Sequence, residues 1–292
     1  MMNWKACPRF SFIIHRSAFI LAFRRVMNYL RLNKSARHFS ILIATLFLFI
    51  SGTKAEALAR NNQARTPTET VREFYRMMRE RHFKEAFALS IYKPAIDGLS
   101  AEEFAELQPD FERMGAAIPE KIDIGGEQVS GDVATVFVKI ADADKAAEAE
   151  PVTLIREGGV WIVGDRENQA VVKKAGKQFF FEARIETHHN EAQAMLQRIS
   201  LAELAYASQH NNLFADLPTL IAAGLVPKDI ETPDTTGYRF HLTLAKDAKS
   251  WSVGAEPVLY GRTGRLSFLL DQSGIRSADR GGKPLVVAEG EP

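Results

Sequence analysis

The chain has 292 residues, with 37 Lys and Arg against 36 Asp and Glu and 46% hydrophobic residues. That length suffices for two modest domains, each with its own core, and the composition excludes wholesale disorder, collagen and a polytopic membrane protein. The formal charge of +1 argues against a general nucleic-acid binder, and a single cysteine, Cys7, excludes a disulfide framework or a Cys metal site in the rest of the chain.

The charge is unevenly spread. Residues 1–57 hold nine Lys and Arg and one acid, Glu56, which leaves 28 basic and 35 acidic residues and a net charge of −7 beyond them. Phe39–Ile50 (FSILIATLFLFI) follows Arg31, Lys34 and Arg37 and precedes Ala55-Glu56-Ala57. A basic flank, a short apolar run and an A-x-A site are the order of a secretory signal. Residues 1–57 are therefore expected to be an extension plus an export signal, with Met27 as its start and cleavage after Ala55 or Ala57. Two alternatives stay open: a first membrane segment at Phe10–Phe23, and a retained anchor at Ile41–Ile50. His15 and Arg16 are costly in lipid, and both apolar runs fall short of the ~20 residues a span needs. The expected location is periplasmic or extracellular, with residues 41–50 as the alternative membrane anchor.

Ala55–Arg65 reads as a polar linker. Thr66-Pro67-Thr68-Glu69 then predicts a helix with a capping box, carrying Val71, Phe74, Tyr75 and Met78 on one stripe. A second helix is expected to carry Phe83, Ala86, Phe87 and Ile91, and Ser100-x-x-Glu103 to cap a third with Phe104, Leu107 and Phe111. After Pro119 the period becomes two. Strands are expected at Lys121–Val129, Val133–Ile140, Val152–Arg156 and Val160–Gly164, with Glu157-Gly158-Gly159 as a hairpin turn and Ala141–Glu150 as an acidic connection.

Helices followed by an antiparallel sheet are an α+β order. The stretches TPTETVREFYRMMRERHFKEAFAL and VTLIREGGVWIVGD resemble the SnoaL-like α+β cone superfamily, over residues 66–166. Enzymes of that superfamily place His, Asp or Tyr inside the cone for acid–base work. Here the strands offer Val, Ile, Phe and Trp161. His82 is expected at an exposed turn, and Asp123 and Asp132 at water-facing strand edges.

Residues 167–187 read as a connecting segment in which FFFEARI suits a strand as well as a helix, with helix favoured by the good helix formers around it. Glu186-x-x-His189 and His188-x-x-Glu191 have a metal-ligand spacing, but no second such motif accompanies them. A solvated helix surface is the expectation there. Residues 188–286 predict a long helix with Ala192, Met195, Leu196, Ile199, Ala202 and Tyr206 on one stripe, ended by Asn211-Asn212. Asp216 caps a short helix with Pro218 in its first turn and Gly224 at its end. Alternation then groups Tyr238, Phe240, Leu242 and Leu244, next Trp251, Val253 and Ala255, and next Leu266, Phe268 and Leu270; Asp271–Gly274 turns into a last strand near Ile275. Residues 287–292 form a tail.

NEAQAMLQRISLAELAYASQHNNLFADLPTLIAAGLVP, with TTGYRFHLTL and LSFLLDQSGIRSAD, resembles the globular head of type IV pilins and type II secretion pseudopilins. A pilin carries an apolar helix running directly into that head. Here the apolar segment lies about 140 residues upstream of Asn190. The resemblance implies a pilin head used as a soluble module. The calcium loop of the major pseudopilins is not implied, since Ala245–Ser250 holds one carboxylate and two lysines.

The expected function is a non-enzymatic exported envelope protein: an interaction module associated with a pilus or secretion apparatus, with protein partners or self-association. No catalytic, cofactor or metal residues are assigned. His82, His188, His189, His210 and His241 show no acid–base or ligand constellation. The alternative is a small-ligand binder or enzyme using the first domain's cone. A third reading is DNA contact through Arg262, Arg265, Arg276, Arg280 and Lys283, with only Tyr260 and Phe268 able to stack.

Overall fold

The structure is a computed structural model that describes residues 65–139 and 149–286. The expected signal and its cleavage site, both alternative membrane segments, almost all of the 55–65 linker, most of the 141–150 connection and the 287–292 tail lie outside the described residues. The protein is α+β, with helices and two four-stranded antiparallel sheets. It divides into two compact units at Gly176/Lys177.

The first unit opens with α1 (Pro67–Arg79), α2 (Phe83–Ala88), α3 (Lys93–Asp97) and α4 (Ala101–Ala116). Both expected capping boxes form. Thr66 Oγ1 accepts from the Glu69 amide at 3.2 Å while the Glu69 carboxylate accepts from the Thr66 amide at 2.8 Å. Ser100 and Glu103 repeat the exchange at 3.2 and 3.0 Å. Each box satisfies two amides that the first helical turn leaves without partners. Phe111 is the hub of the helical core, with Phe83, Phe87 and Phe104 rings at 5.8, 5.1 and 5.6 Å.

One helical expectation is corrected. Ile91 does not lie on α2, which stops at Ala88. The Ile91 amide instead donates to the Val163 carbonyl at 2.9 Å and the Val163 amide to the Leu89 carbonyl at 2.8 Å. A sheet edge that offers a donor and an acceptor has won over continuation of a short helix.

Strands β1 (Asp123–Ser130), β2 (Val133–Lys139), β3 (Ala149–Glu157) and β4 (Val160–Val163) follow in a meander, in the order β1-β2-β3-β4. The register pairs Val136 with Val152 and Ala134 with Leu154, and an irregularity between Ile124 and Gly126 shifts β1 by one residue. The inner face carries Ala134, Val136, Val138, Leu154 and Trp161, packed with Val71 of α1. α5 (Arg166–Ala175), capped by Asp165, completes the unit.

The second unit is built on α6 (Phe179–Gln209), 31 residues long. FFFEARI is thus helical. Residues 167–187 are divided between α5 and α6, with a short 3-10 turn between them. Asn211 and Asn212 end α6 with φ of 55° and 60°, a left-handed conformation that asparagine tolerates. α7 (Leu217–Ala222) is capped by Asp216, whose carboxylate accepts from the Thr219 amide at 3.0 Å.

Strands β5 (Tyr238–Leu244), β6 (Trp251–Pro257), β7 (Leu266–Asp271) and β8 (Gly274–Asp279) form the second meander. The expected stripes meet in one core: Ala192, Leu196, Ile199 and Ala202 of α6 with Tyr238, Phe240, Trp251, Val253, Phe268 and Leu270 of the sheet. A buried Leu, Ile or Phe in such a core contributes about 1.5–3 kcal/mol each.

Candidate functional site

In the first unit the residues that could have carried cone chemistry lie elsewhere. His82, Asp123 and Asp132 are exposed, and Trp161 is buried in the core. The buried polar side chains serve local structure. Thr70 Oγ1 donates to the Thr66 carbonyl at 2.9 Å and Ser90 Oγ to the Phe87 carbonyl at 2.8 Å. Asn168 bonds Asp165 at the α5 cap, Gln169 donates to Glu157 at 2.8 Å, and Asp110 pairs with Arg113. Burial pushes the Tyr75 hydroxyl up to about 12, so it stays protonated at neutral pH. A depression of about 160 Å³ is lined by Arg79, Arg81, Glu112, Gly115, Ala116 and Ile118. It is smaller than the ~300 Å³ at which ordinary ligand sites begin.

The second unit departs most from expectation. Thr187, His188 and His189 do not form a solvated helix surface: they are 7%, 5% and 8% exposed. Phe181, Ile185, His188 and Ala192 continue the stripe of α6 toward its N-terminus at spacings of four and three, so the helix turns both histidines toward the protein. His188 Nδ1 lies 2.9 Å from the Thr263 carbonyl. His189 Nε2 accepts from the backbone amides of Arg265 at 3.1 Å and Leu266 at 3.3 Å. The His189 ring stands edge-on to Tyr238 and Phe268, with centroids at 6.3 and 6.0 Å. Burial holds the His189 imidazole below its ordinary range; Glu186, 4.0 Å from Nδ1, acts in the opposite sense, and Arg265 lowers it further.

Around the histidines the loop between β6 and β7 is fastened to α6 by charge. The Arg265 guanidinium spans both oxygens of Glu182 at 2.8 and 2.6 Å, and Arg262 lies 4.1 Å from the centroid of the Phe181 ring. Gly237, at φ +68°, permits the approach, since a Cβ there would collide with His188 Nδ1.

A second pairing was not legible in the sequence. His241 Nε2 lies 2.6 Å from Glu256 Oε1 across β5 and β6. Its side chain is 60% exposed, while that of Glu256 is 10% exposed. Glu256 Oε2 is buried and has no hydrogen-bond partner among the described residues. The expectation that His241 belongs to no acid–base grouping is therefore corrected: an imidazole that exchanges with water is seated on a buried carboxylate. Alternation places His241 on the outer face, but only the register that sets His241 opposite Gly254 brings Glu256 diagonally beside it. His210 is a local contact, stacked on Tyr206 at 3.8 Å.

The basic residues of the third reading are largely engaged within the unit. Arg265 holds Glu182, Arg276 holds Asp271 at 2.5 Å, and Arg262 covers Phe181. Of the two aromatics named for stacking, Phe268 is 1% exposed and Tyr260 donates its hydroxyl to Asp279 at 3.0 Å. The loop Ala245–Ser250 is closed by its own backbone, with the Ala245 amide on the Ser250 carbonyl at 2.9 Å.

Among the described residues no group of three or more His, Cys, Asp or Glu side chains is placed to hold a metal ion. Among them, too, no helix is long and apolar enough to cross a membrane. Comparison of the chain with known protein families, curated proteins and solved structures finds no match in any of the three.

Proposed function

We propose that the protein is a non-enzymatic, exported envelope protein that acts as an interaction module, associated with a pilus or secretion apparatus. The observation that carries this reading is the filled interior of the first unit. Val71, Ala134, Val136, Val138, Leu154 and Trp161 occupy the side of the sheet where a cone enzyme keeps its polar groups. With the interior taken up by packing, the outer surfaces are what remains for recognition. The basic flank, apolar run and A-x-A site before residue 58 support export. The pilin-like text of residues 190–279 supports the association with a pilus or secretion apparatus.

The test has two arms in the native host. Mass spectrometry should find a new N-terminus at Glu56 or Leu58 in the envelope or medium. Photo-crosslinkers at Leu201 and Leu204, which are 68% and 60% exposed on α6, should give discrete adducts with a second copy or an envelope protein. Retention in the cytoplasm, or turnover of a small molecule by the purified protein, would overturn the reading.

The His241–Glu256 pair favours a second reading, in which the second unit binds a small polar ligand at that accessible pair. Its sign would be a small polar ligand whose binding is abolished by both His241→Ala and Glu256→Gln.

A further inference from the structure

The two neighbouring histidines of α6 make opposite hydrogen bonds. His188 Nδ1 faces a carbonyl, that of Thr263, and so it donates. Protonating the other nitrogen leaves that bond intact. His189 Nε2 faces two N–H groups, those of Arg265 and Leu266, and so it accepts. Its proton therefore sits on Nδ1, toward Glu186 Oε2 at 4.0 Å. Adding a proton to Nε2 removes the lone pair and turns an acceptor of two amides into a donor aimed at them.

We propose that His189 is an acid-released clasp that ties the 258–265 loop to the long helix. The charged and titratable groups facing it are few. Glu186 and Glu182 come from α6, and the Glu182 carboxylate is occupied by Arg265 from the loop. Tyr238 of β5 presents its ring, and its hydroxyl donates to the Leu266 carbonyl at 2.7 Å. Phe268 of β7 contributes no charge. Two amides already direct their hydrogens at Nε2, so a proton added there would face donors.

The rest of the loop is tied locally and survives the change. The Leu259 amide donates to Thr263 Oγ1 at 3.0 Å and the Gly261 amide to the Gly264 carbonyl at 2.8 Å. Protonation thus frees the junction at Arg265–Leu266 while the loop keeps its internal form. Leu259 and Tyr260, 56% and 49% exposed, lie on that loop and stay held by the Tyr260–Asp279 bond and the Arg265–Glu182 pair, so the change is confined to the two amides at the loop's end. The direction is set by burial: His189 titrates below the ordinary histidine range, so the clasp is closed at neutral pH and opens only as the pH falls through that lowered value.

The experiment is amide exchange by NMR on the intact protein, with each rate divided by its intrinsic rate at the same pH. As the pH is lowered stepwise from neutrality to the lowest value at which β5 and β7 interior amides keep their protection, protection at Arg265 and Leu266 should fall about tenfold. His189→Gln offers a non-titrating oxygen to the same two amides, and the step should vanish. His188→Gln should retain it. Constant protection at Arg265 and Leu266 in the wild type would overturn the proposal without reference to any variant. So would an undiminished step in His189→Gln, or loss of protection across β5–β8 at the same pH.

Discussion

Glu203, with no exposed surface, accepts the amide of Ala215 at 3.0 Å. The contact joins α6 to the chain twelve residues on, at the residue before the Asp216 cap of α7. One oxygen, Oε1, is buried without a hydrogen-bond partner among the described residues. Burial therefore pushes the carboxyl up, opposed by the Ala215 amide and reinforced by Asp216. A carboxyl raised in the folded state contributes fully below its unfolded value near 4.5, and that contribution is lost as pH rises through the folded value. Glu203→Gln keeps an acceptor for Ala215 and should gain on the wild type as pH rises above about 4.5. Glu203→Ala leaves the amide unsatisfied and should cost about 1–3 kcal/mol. Urea melts at several pH values measure both; parallel pH profiles for wild type and Glu203→Gln would contradict the assignment.

His241 and Glu256 should be coupled in stability. Removing the imidazole strands a buried carboxylate, so His241→Ala is expected to cost about 1–3 kcal/mol. Glu256→Gln in the same chain should recover part of that loss, because the stranded charge is gone. A double-mutant cycle by denaturant melts reads the coupling directly. Additive effects would mean that the 2.6 Å contact contributes nothing.

Gly264 should resist substitution for a reason that can be reversed. A Cβ there would collide with the Tyr238 hydroxyl, which is held by its bond to the Leu266 carbonyl. Gly264→Ala is expected to cost about 1–3 kcal/mol by overpacking. Tyr238→Phe, which removes the oxygen, should cost less in the Gly264→Ala background than in the wild type. Equal costs in both backgrounds would place the strain elsewhere.

Residues 58–292 should behave as a monomer or small oligomer and form no filaments. Leu196 and Ile199, which a pilin-like fibre would need, are fully buried in the core of their own unit. Leu196→Ala and Ile199→Ala should therefore each cost about 2–5 kcal/mol in stability by opening cavities. Light scattering after size exclusion, with negative-stain microscopy, measures the assembly. Regular filaments abolished by these two substitutions would show that α6 builds a fibre.

The elements legible in the sequence are those decided within one helical turn or one pleat. Thr66 and Glu69, Ser100 and Glu103, Asp216 and Thr219 meet because three residues of helix bring them together. The alternation of Tyr238, Phe240 and Leu242 assigns a buried face before any partner strand is known. The apolar stripe of α6 from Ala192 to Ala202 predicts a covering sheet for the same reason.

Contacts between polar groups far apart in the chain are fixed by the fold instead. Glu182 and Arg265 are separated by 83 residues and His189 and Arg265 by 76. His189 read as solvated because its residue type favours water. Its place on the stripe that runs from Ile185 to Ala192 buries it, and two backbone amides of a distant loop offset the loss of water. His241 finds Glu256 through a strand register set by the Ala245–Ser250 turn, where Ala248 takes φ +55°. A shift of one residue in that register would turn His241 and Glu256 to opposite faces. Local patterning determines which residues are apolar neighbours. Which polar groups lose their water together depends on how the strands and loops are registered against α6, and that is settled only when the core has closed.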